Sequence, residues 1–100
     1  MDLEKIKSIM ESLLFISGEP IKISKLSKII EVSKEEVENA LMMLAADYAD
    51  QKKGVVILRK EDEIQMATNP ENALFVDKIV KSDLQEALSS ASLEVLSIVA

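Results

Sequence analysis

The side chains in this 100-residue sequence that could do chemistry are mostly carboxylates, because it contains no histidine and no cysteine. Ser/His and Cys/His nucleophilic pairs, a histidine base and the common zinc sites are therefore ruled out. The two glycines, Gly18 and Gly54, cannot form a phosphate-binding loop. Carboxylate groups at residues 35–36 and 61–63 fall at predicted helix starts and turns, where a solvated surface is favoured over acid/base work. We expect no enzyme activity, no cofactor and no metal site.

One face of a helix predicted over residues 34–50 is the better candidate for function. On a helical wheel with about 100° per residue, a stripe expected to be buried is formed by Val37, Leu41, Leu44 and Tyr48. The residues opposite this stripe form the outward face of the helix. That face holds Glu35, Asn39, Met42, Met43, Ala46 and Ala49, with Asp50 at its end. Methionine and alanine rimmed by carboxylates suit an adaptable protein-binding surface, which we predict here. The alternative is that Met42 and Met43 pack against a neighbouring part of the same domain.

The same helix is poorly suited to DNA. Residues 34–50 contain one lysine against five acidic side chains, a net charge of −4. A helix in a DNA groove needs cations for phosphates and donors for base edges. The net charge of the whole chain, −6, also argues against nonspecific binding to nucleic acid or to an anionic membrane. We expect no specific DNA binding and no membrane association, and keep a DNA-binding winged-helix transcription regulator as the alternative.

A predicted helix-turn-helix positions this face. Ser24 precedes a short apolar helix, and Ser33 with Glu36 forms a capping box at the start of the second helix. Before them, residues 2–16 predict a first helix that Gly18 and Pro20 end. Its wide apolar band, which should be covered on more than one side, comprises Leu3, Ile6, Ile9, Met10, Leu13, Leu14 and Ile16. Residues 19–23 are predicted to be extended and able to pair with a later strand.

A β-hairpin is predicted after the helix-turn-helix. Residues 55–60 and 63–68 have strand patterns, with a short polar connection at Glu61 and Asp62. The hairpin region carries the only clustered positive charge: Lys52, Lys53, Arg59 and Lys60. Because acidic residues 61–63 largely offset that charge, we favour a solvated hairpin over a phosphate contact. A hairpin after a helix-turn-helix is a wing, so the predicted fold is mainly α with a small β-hairpin, a winged helix-turn-helix.

The last third of the chain is predicted to contain one helix that completes the domain and the beginning of another. Asn69 with Pro70 begins a helix that runs to about Lys81. It should bury Leu74, Val76, Ile79 and Val80. Residues 82–89 are predicted as a linker with some helical tendency. Residues 90–100 begin an amphipathic helix that stops while still apolar, which indicates a chain cut from a longer one.

Four segments in order resemble the family of segregation and condensation protein B (ScpB), the bacterial partner of the kleisin in SMC-type chromosome condensation complexes. The first is LLFISGEP at residues 13–20, and the second is VSKEEV at residues 32–37. TNPE at residues 68–71 and LSSASLEVLSIVA at residues 88–100 follow. The last segment resembles the opening of that family's second domain. The hairpin turn departs from the family pattern, because residues 61–63 stand where glycine is more usual.

This resemblance implies two winged-helix domains per chain, homodimerisation largely through the first, and binding of the kleisin by the dimer. We therefore expect a dimerising winged-helix domain over residues 1–81, a linker over 82–89, and a truncated first helix of a second winged-helix domain over 90–100. The expected function is a non-enzymatic adaptor whose partners are itself, an ScpA-like kleisin and, through it, an SMC ATPase. The expected location is the cytoplasm, in association with the nucleoid. Which surface forms the dimer stays open between the first helix, the exposed helix face and the tail after Ser89.

Overall fold

The computed structural model describes residues 1–89, with side chains to residue 84. The first of two compact units covers Met1–Asn69, and the second starts at Pro70. The first unit contains α1 (Leu3–Ser17), β1 (Ile21–Lys22), α2 (Ile23–Ile30), α3 (Lys34–Asp47), β2 (Val55–Lys60) and β3 (Glu63–Thr68). The second contains a 3-10 turn (Pro70–Asn72) and α4 (Ala73–Ser89). The first unit is a winged helix, as predicted: a helix-turn-helix of α2 and α3 followed by a β2–β3 wing.

An aliphatic core joins α1, α2, α3 and the sheet. Three residues of α1 spaced four apart face it, and Val32, Tyr48, Ile57 and Met66 pack at its edge. The buried members are Ile6, Met10, Leu14, Ile21, Ile23, Leu26, Ile30, Val37, Ala40, Leu41, Leu44 and Ile64. The charged residues lie outside this core, which is held by burial of apolar surface.

The buried band of α1 is narrower than the sequence predicts. Ile6, Met10 and Leu14 are fully buried, and Ile9 and Leu13 are partly buried. The prediction for the two ends of the band is wrong, because Leu3 and Ile16 are exposed. Two residues along a helix are about 200° apart, so Ile16 points away from the core that Leu14 faces.

The sheet is antiparallel, in the order β1-β3-β2. Ile21 pairs with Ile64, and Lys60 pairs with Glu63 across the hairpin. The predicted extended stretch is shorter than expected, because Ile23 already begins α2. The Ile23 N–H donates to the Asp62 carbonyl at 2.9 Å, which ties the start of α2 to the tip of the wing.

In the second unit, α4 begins three residues later than predicted, because Pro70–Asn72 form a 3-10 turn. It also continues to Ser89, so the predicted helix end near Lys81 is wrong and residues 82–89 are helical. The burial predicted for Leu74, Ile79 and Val80 is wrong too, since all three are exposed, whereas Val76 is half-buried. The predicted helix start within residues 90–100 lies outside the described residues.

Turns in the first unit use the left-handed backbone region three times. Gly18 has φ +66°, and two glutamates share this conformation, Glu31 at +63° and Glu61 at +56°. Glu31 ends α2: its N–H and that of Val32 both donate to the Ser27 carbonyl, at 2.9 and 3.2 Å. A side chain with a Cβ is strained in this region by about 1 kcal/mol or more, which glycine avoids.

Replacing Glu31 by glycine should therefore stabilise the domain, by roughly 0.5–1 kcal/mol after the larger entropy of the unfolded glycine chain is subtracted. Urea unfolding measures the change. Lys28→Gly is the matched control, because Lys28 is an exposed helical residue of α2 and glycine there should cost about 1 kcal/mol. A loss of stability in Glu31→Gly as large as that in the control would contradict the strain argument.

Candidate protein-binding surface

The start of α3 is fixed by the capping box that the sequence predicts. Ser33 Oγ accepts a hydrogen bond from the Glu36 N–H at 3.1 Å, and Glu36 Oε1 accepts one from the Ser33 N–H at 3.4 Å. These bonds satisfy two backbone donors that the first helical turn leaves free. Inward from this cap, Val37, Ala40 and Leu44 are fully buried. The cap and the core together set which face of α3 points outward.

The outer face of α3 carries the residues predicted for partner binding. Glu35, Asn39 and Ala46 are exposed, and Met42 has 72% of its surface exposed. Met42 is therefore not packed within the described chain, whereas Met43 is half-buried, as the alternative of internal packing expects. Since α3 ends at Asp47, Ala49 lies just beyond it, in the turn that follows. The structure thus brings five of the six predicted residues onto the helix, four of them exposed.

The α3 face lies beside an ion pair that joins the wing to α3. Arg59 donates from Nη1 to Glu38 Oε1 at 2.5 Å and from Nη2 to Oε2 at 3.0 Å. This two-bond geometry is the strongest that arginine and a carboxylate form. The hydrogen bonding between the two side chains lowers the pKa of Glu38 below its ordinary value and raises the pKa of Arg59 above its own. Arg59 is thus committed to a carboxylate, which favours the solvated-hairpin interpretation over a phosphate contact.

A second pair of contacts holds the end of α3 against α1. The Tyr48 hydroxyl donates to the Glu11 carboxylate, and Lys7 Nζ lies 2.8 Å from Asp47 Oδ2. The hydrogen bond to Glu11 is the main reason that the pKa of Tyr48 is raised above its ordinary value. Lys53 Nζ lies 5.2 Å from the centroid of the Tyr48 ring, within cation–π range. Tyr48 therefore links α1, α3 and the turn before β2.

An exposed apolar group at the end of α1 was missed by the sequence analysis. Phe15 and Ile16 are 76% and 78% exposed and border an open depression of about 430 Å³ that Tyr48 and Met66 also line. The sequence did contain a signal for it. Residues 13–16 are four consecutive apolar residues, which cannot all face the core from one helix.

Two other classes of site are not found along the part of the chain that is described. Between residues 1 and 84, no three histidine, cysteine, aspartate or glutamate side chains are grouped so that they could hold a metal ion. No helix among residues 1–89 has the length and apolar character to cross a bilayer.

Comparison with known proteins decides the family. A family model described as segregation and condensation complex subunit ScpB matches residues 8–100. The chain belongs to the ScpB family. Segregation and condensation protein B of Clostridium botulinum (strain Kyoto / Type A2) is 42% identical over 96 residues, which are 96% of this chain and 50% of that protein. The protein of that name in Clostridioides difficile (strain 630) is 41% identical over 102 residues, a match that covers 100% of this chain and 57% of that protein. The chain spans about half the length of these ScpB relatives.

Solved ScpB structures share this fold. A crystal structure of a dimer of the ScpB N-terminal domain complexed with ScpA peptide has 27% identity and a TM-score of 0.70. The match covers 77% of this chain and 96% of that one. ScpB from Mycobacterium tuberculosis matches over 100% of this chain and 62% of its own, with a TM-score of 0.76; at 24% identity it supports the fold alone. The predicted family and the predicted fold class are confirmed.

The Glu38–Arg59 pair predicts a pH dependence. Because the folded-state pKa of Glu38 is lowered, its contribution to stability is complete above the ordinary carboxyl pKa and is lost as pH falls through the lowered value. The carboxyl-carbon NMR shift of Glu38 should titrate with a midpoint below the ordinary glutamate value. In Arg59→Gln that midpoint should rise toward the ordinary value, and a Glu38 midpoint that stays low would mean that another group causes the shift.

Tyr48 gives a second titration, easy to follow because it is the only tyrosine and the chain has no tryptophan. Ultraviolet absorbance should show an ionisation midpoint above that of free tyrosine, because the hydrogen bond to Glu11 favours the neutral phenol. The stability from this contact is present below the ordinary pKa and is lost as pH rises through the raised one. Glu11→Ala should return the midpoint toward the free value, while Glu35→Ala should leave it raised. Equal midpoints in both variants would refute the assignment.

Proposed function

We propose that this chain is the first domain of a non-enzymatic adaptor that acts in chromosome condensation and segregation as part of a condensin-like SMC–kleisin complex. It binds itself and an ScpA-like kleisin and, through that kleisin, engages an SMC ATPase. The observation that carries the proposal is the match to a dimer of the ScpB N-terminal domain complexed with ScpA peptide, which spans 96% of that chain. The adaptor works in the cytoplasm, in association with the nucleoid.

The domain division is part of this proposal. Residues 1–81 form the dimerising winged-helix domain, residues 82–89 connect it to the next, and residues 90–100 start a second winged-helix domain. The family model, which matches as far as residue 100, supports the continuation, as do the relatives that are about twice as long. Because α4 runs to Ser89, the connection proposed here is a helical one.

The outer face of α3 serves as a protein-partner surface. Its support is the exposure of Met42 in an acidic surrounding that includes Glu35. Methionine is flexible and polarisable, so it adapts to apolar side chains of a partner. The acidic rim favours a partner segment with basic residues beside its apolar ones. A DNA-binding regulator gains nothing from this geometry, because Lys34 is the only cation in α3.

Two titrations test the adaptor proposal against a DNA-binding role. The 100-residue chain is titrated, by fluorescence anisotropy, into a labelled central segment of the kleisin from the same genome and into a labelled 20-base-pair duplex. We expect saturable binding to the kleisin segment and no binding to the duplex at physiological salt. Tight duplex binding that weakens steeply with salt would overturn the proposal in favour of a DNA-binding regulator.

Met42→Ala should weaken partner binding by about tenfold, because a central apolar contact at an interface is worth roughly 1–2 kcal/mol. The same anisotropy titration and the solution mass of the chain measure it, and circular dichroism shows that the fold is kept. Ile29→Ala is the matched control, because Ile29 is a comparably exposed apolar residue on a different helix, α2. Equal affinities of the two variants for the kleisin and for a second copy would remove Met42 from the partner surface.

A further inference from the structure

The edge of β2 that faces away from β3 is used neither by the core nor by the sheet. The strand order is β1-β3-β2, and among the described residues no strand pairs with this outer edge. The Asn69 N–H donates at 2.8 Å to the carbonyl of Gly54, the residue that continues the strand register opposite it. Because hydrogen-bonded and non-hydrogen-bonded residues alternate along an antiparallel pair, this bond fixes the alternation along β2.

Every second residue of β2 therefore directs its backbone N–H and C=O away from the sheet. These residues are Val55, Ile57 and Arg59, and we call their outward side the β2 edge. Edge strands are usually protected from further pairing by a charged side chain or a proline. Residues 55–58 are VVIL, four consecutive apolar residues with neither. An apolar edge with open donors and acceptors is suited to accept another strand.

One flank of α3 lies along the β2 edge. Arg59 of β2 bonds to Glu38 of α3, and each of them lies about 13 Å from the connection at residues 48–54. α3 and β2 therefore run side by side in opposite directions. Met42, one helical turn beyond Glu38, comes level with Ile57, since one turn of a helix and two residues of a strand each span about 6 Å. The β2 edge and Met42 thus border one groove, which we call the α3–β2 groove.

We propose that an extended segment of the kleisin binds in the α3–β2 groove as a further strand of the sheet, paired with the β2 edge. This inference rests on the proposed function and names the conformation and the site of the bound segment. Ile57 faces the helices, because it packs at the edge of the core. Residues directly opposite one another in a sheet share a face, so the segment's residue opposite Ile57 contacts Met42. In this binding mode the main-chain bonds give affinity, and the alternate side chains give specificity.

The side chains around the groove define the chemistry of the segment. Along the groove, α3 presents Met42 and Ala45, both exposed and uncharged, so the side chains that face α3 are apolar. At the start of β2, Lys52 and Lys53 are exposed and outnumber Asp50. The segment therefore carries an acidic residue at the end that lies beside these lysines. The basic residues favoured by the acidic rim of α3 fall at its other end, beside the hairpin.

Amide hydrogen exchange of the 100-residue chain tests the strand addition, measured by NMR with and without a saturating amount of the central kleisin segment. In the free chain, the outward amides of Val55, Ile57 and Arg59 should exchange fast. With the segment bound, their exchange should slow by about tenfold or more. The amides of residues 56, 58 and 60 are bonded to β3 in both states, so they are the internal control and should be protected throughout. A contact made by side chains alone cannot produce this alternation.

Two pairs of variants test the backbone bond and the charge by the anisotropy titration. Val55→Pro removes one outward N–H, and proline is tolerated at the first residue of an edge strand. Val55→Ala is its matched control, because it trims the side chain and keeps the N–H. Val55→Pro should bind the segment about fivefold more weakly than Val55→Ala does. Lys52→Glu should likewise weaken binding by about threefold or more, and Lys28→Glu, at an exposed lysine of α2, should bind as wild type does.

Three outcomes would overturn the proposal. If the segment binds and the exchange of the outward amides stays fast, the kleisin lies elsewhere, although the adaptor function stands. If those amides exchange slowly before any segment is added, the β2 edge is already covered, by a second copy where dilution restores fast exchange and by the chain itself where it does not. If the segment does not bind at all, the proposed function fails and this inference fails with it.

Discussion

The burial of α1 against α3 and the sheet is the constraint on which the first unit depends. Ile6, Met10 and Leu14 are fully buried in a core that contains no aromatic side chain. α3 meets them with Val37 and Leu44, so its rotation about its own axis is fixed. Removing a buried leucine or isoleucine from such a core costs about 2–5 kcal/mol, which is a large part of a small domain's stability. Everything that α3 presents to solvent follows from this packing.

The polar contacts around the core orient the wing and α3 more than they stabilise the fold. Arg59 joins the wing to Glu38, and Tyr48 joins α3 to Glu11. Exposed ion pairs are individually weak in water. Their effect is to hold the wing against α3 and the end of α3 against α1. The partner surface proposed on α3 would, when held in this way, lose less entropy on binding.

The predictions from sequence succeeded where a local signal was strong. Ser33 and Glu36 predicted the start of α3. The β-branched apolar run of residues 55–60 and the alternation of residues 63–68 predicted the two strands with the observed bounds. The predictions of burial failed where burial depends on whether another element packs against that face of the helix. Ile16 and Ile79 are apolar residues at helical spacing, as core residues are, but a pattern of spacing cannot say whether a covering surface exists. The same limit applies to the α3 face, whose exposure is observed but whose partner is proposed.

The hydrogen bond from the Ile23 N–H to the Asp62 carbonyl fixes the start of α2 relative to the wing. β1 is only two residues long and leads directly into α2, so the direction of α2 is inherited from the sheet. A one-residue slip of β3 would turn Ile64 out of the core and move the acceptor away from Ile23. The strand register and the helix direction must therefore be acquired together. Insertions in the wing of this domain should consequently be tolerated only at the hairpin positions that leave the pairing of Ile21 with Ile64 unchanged.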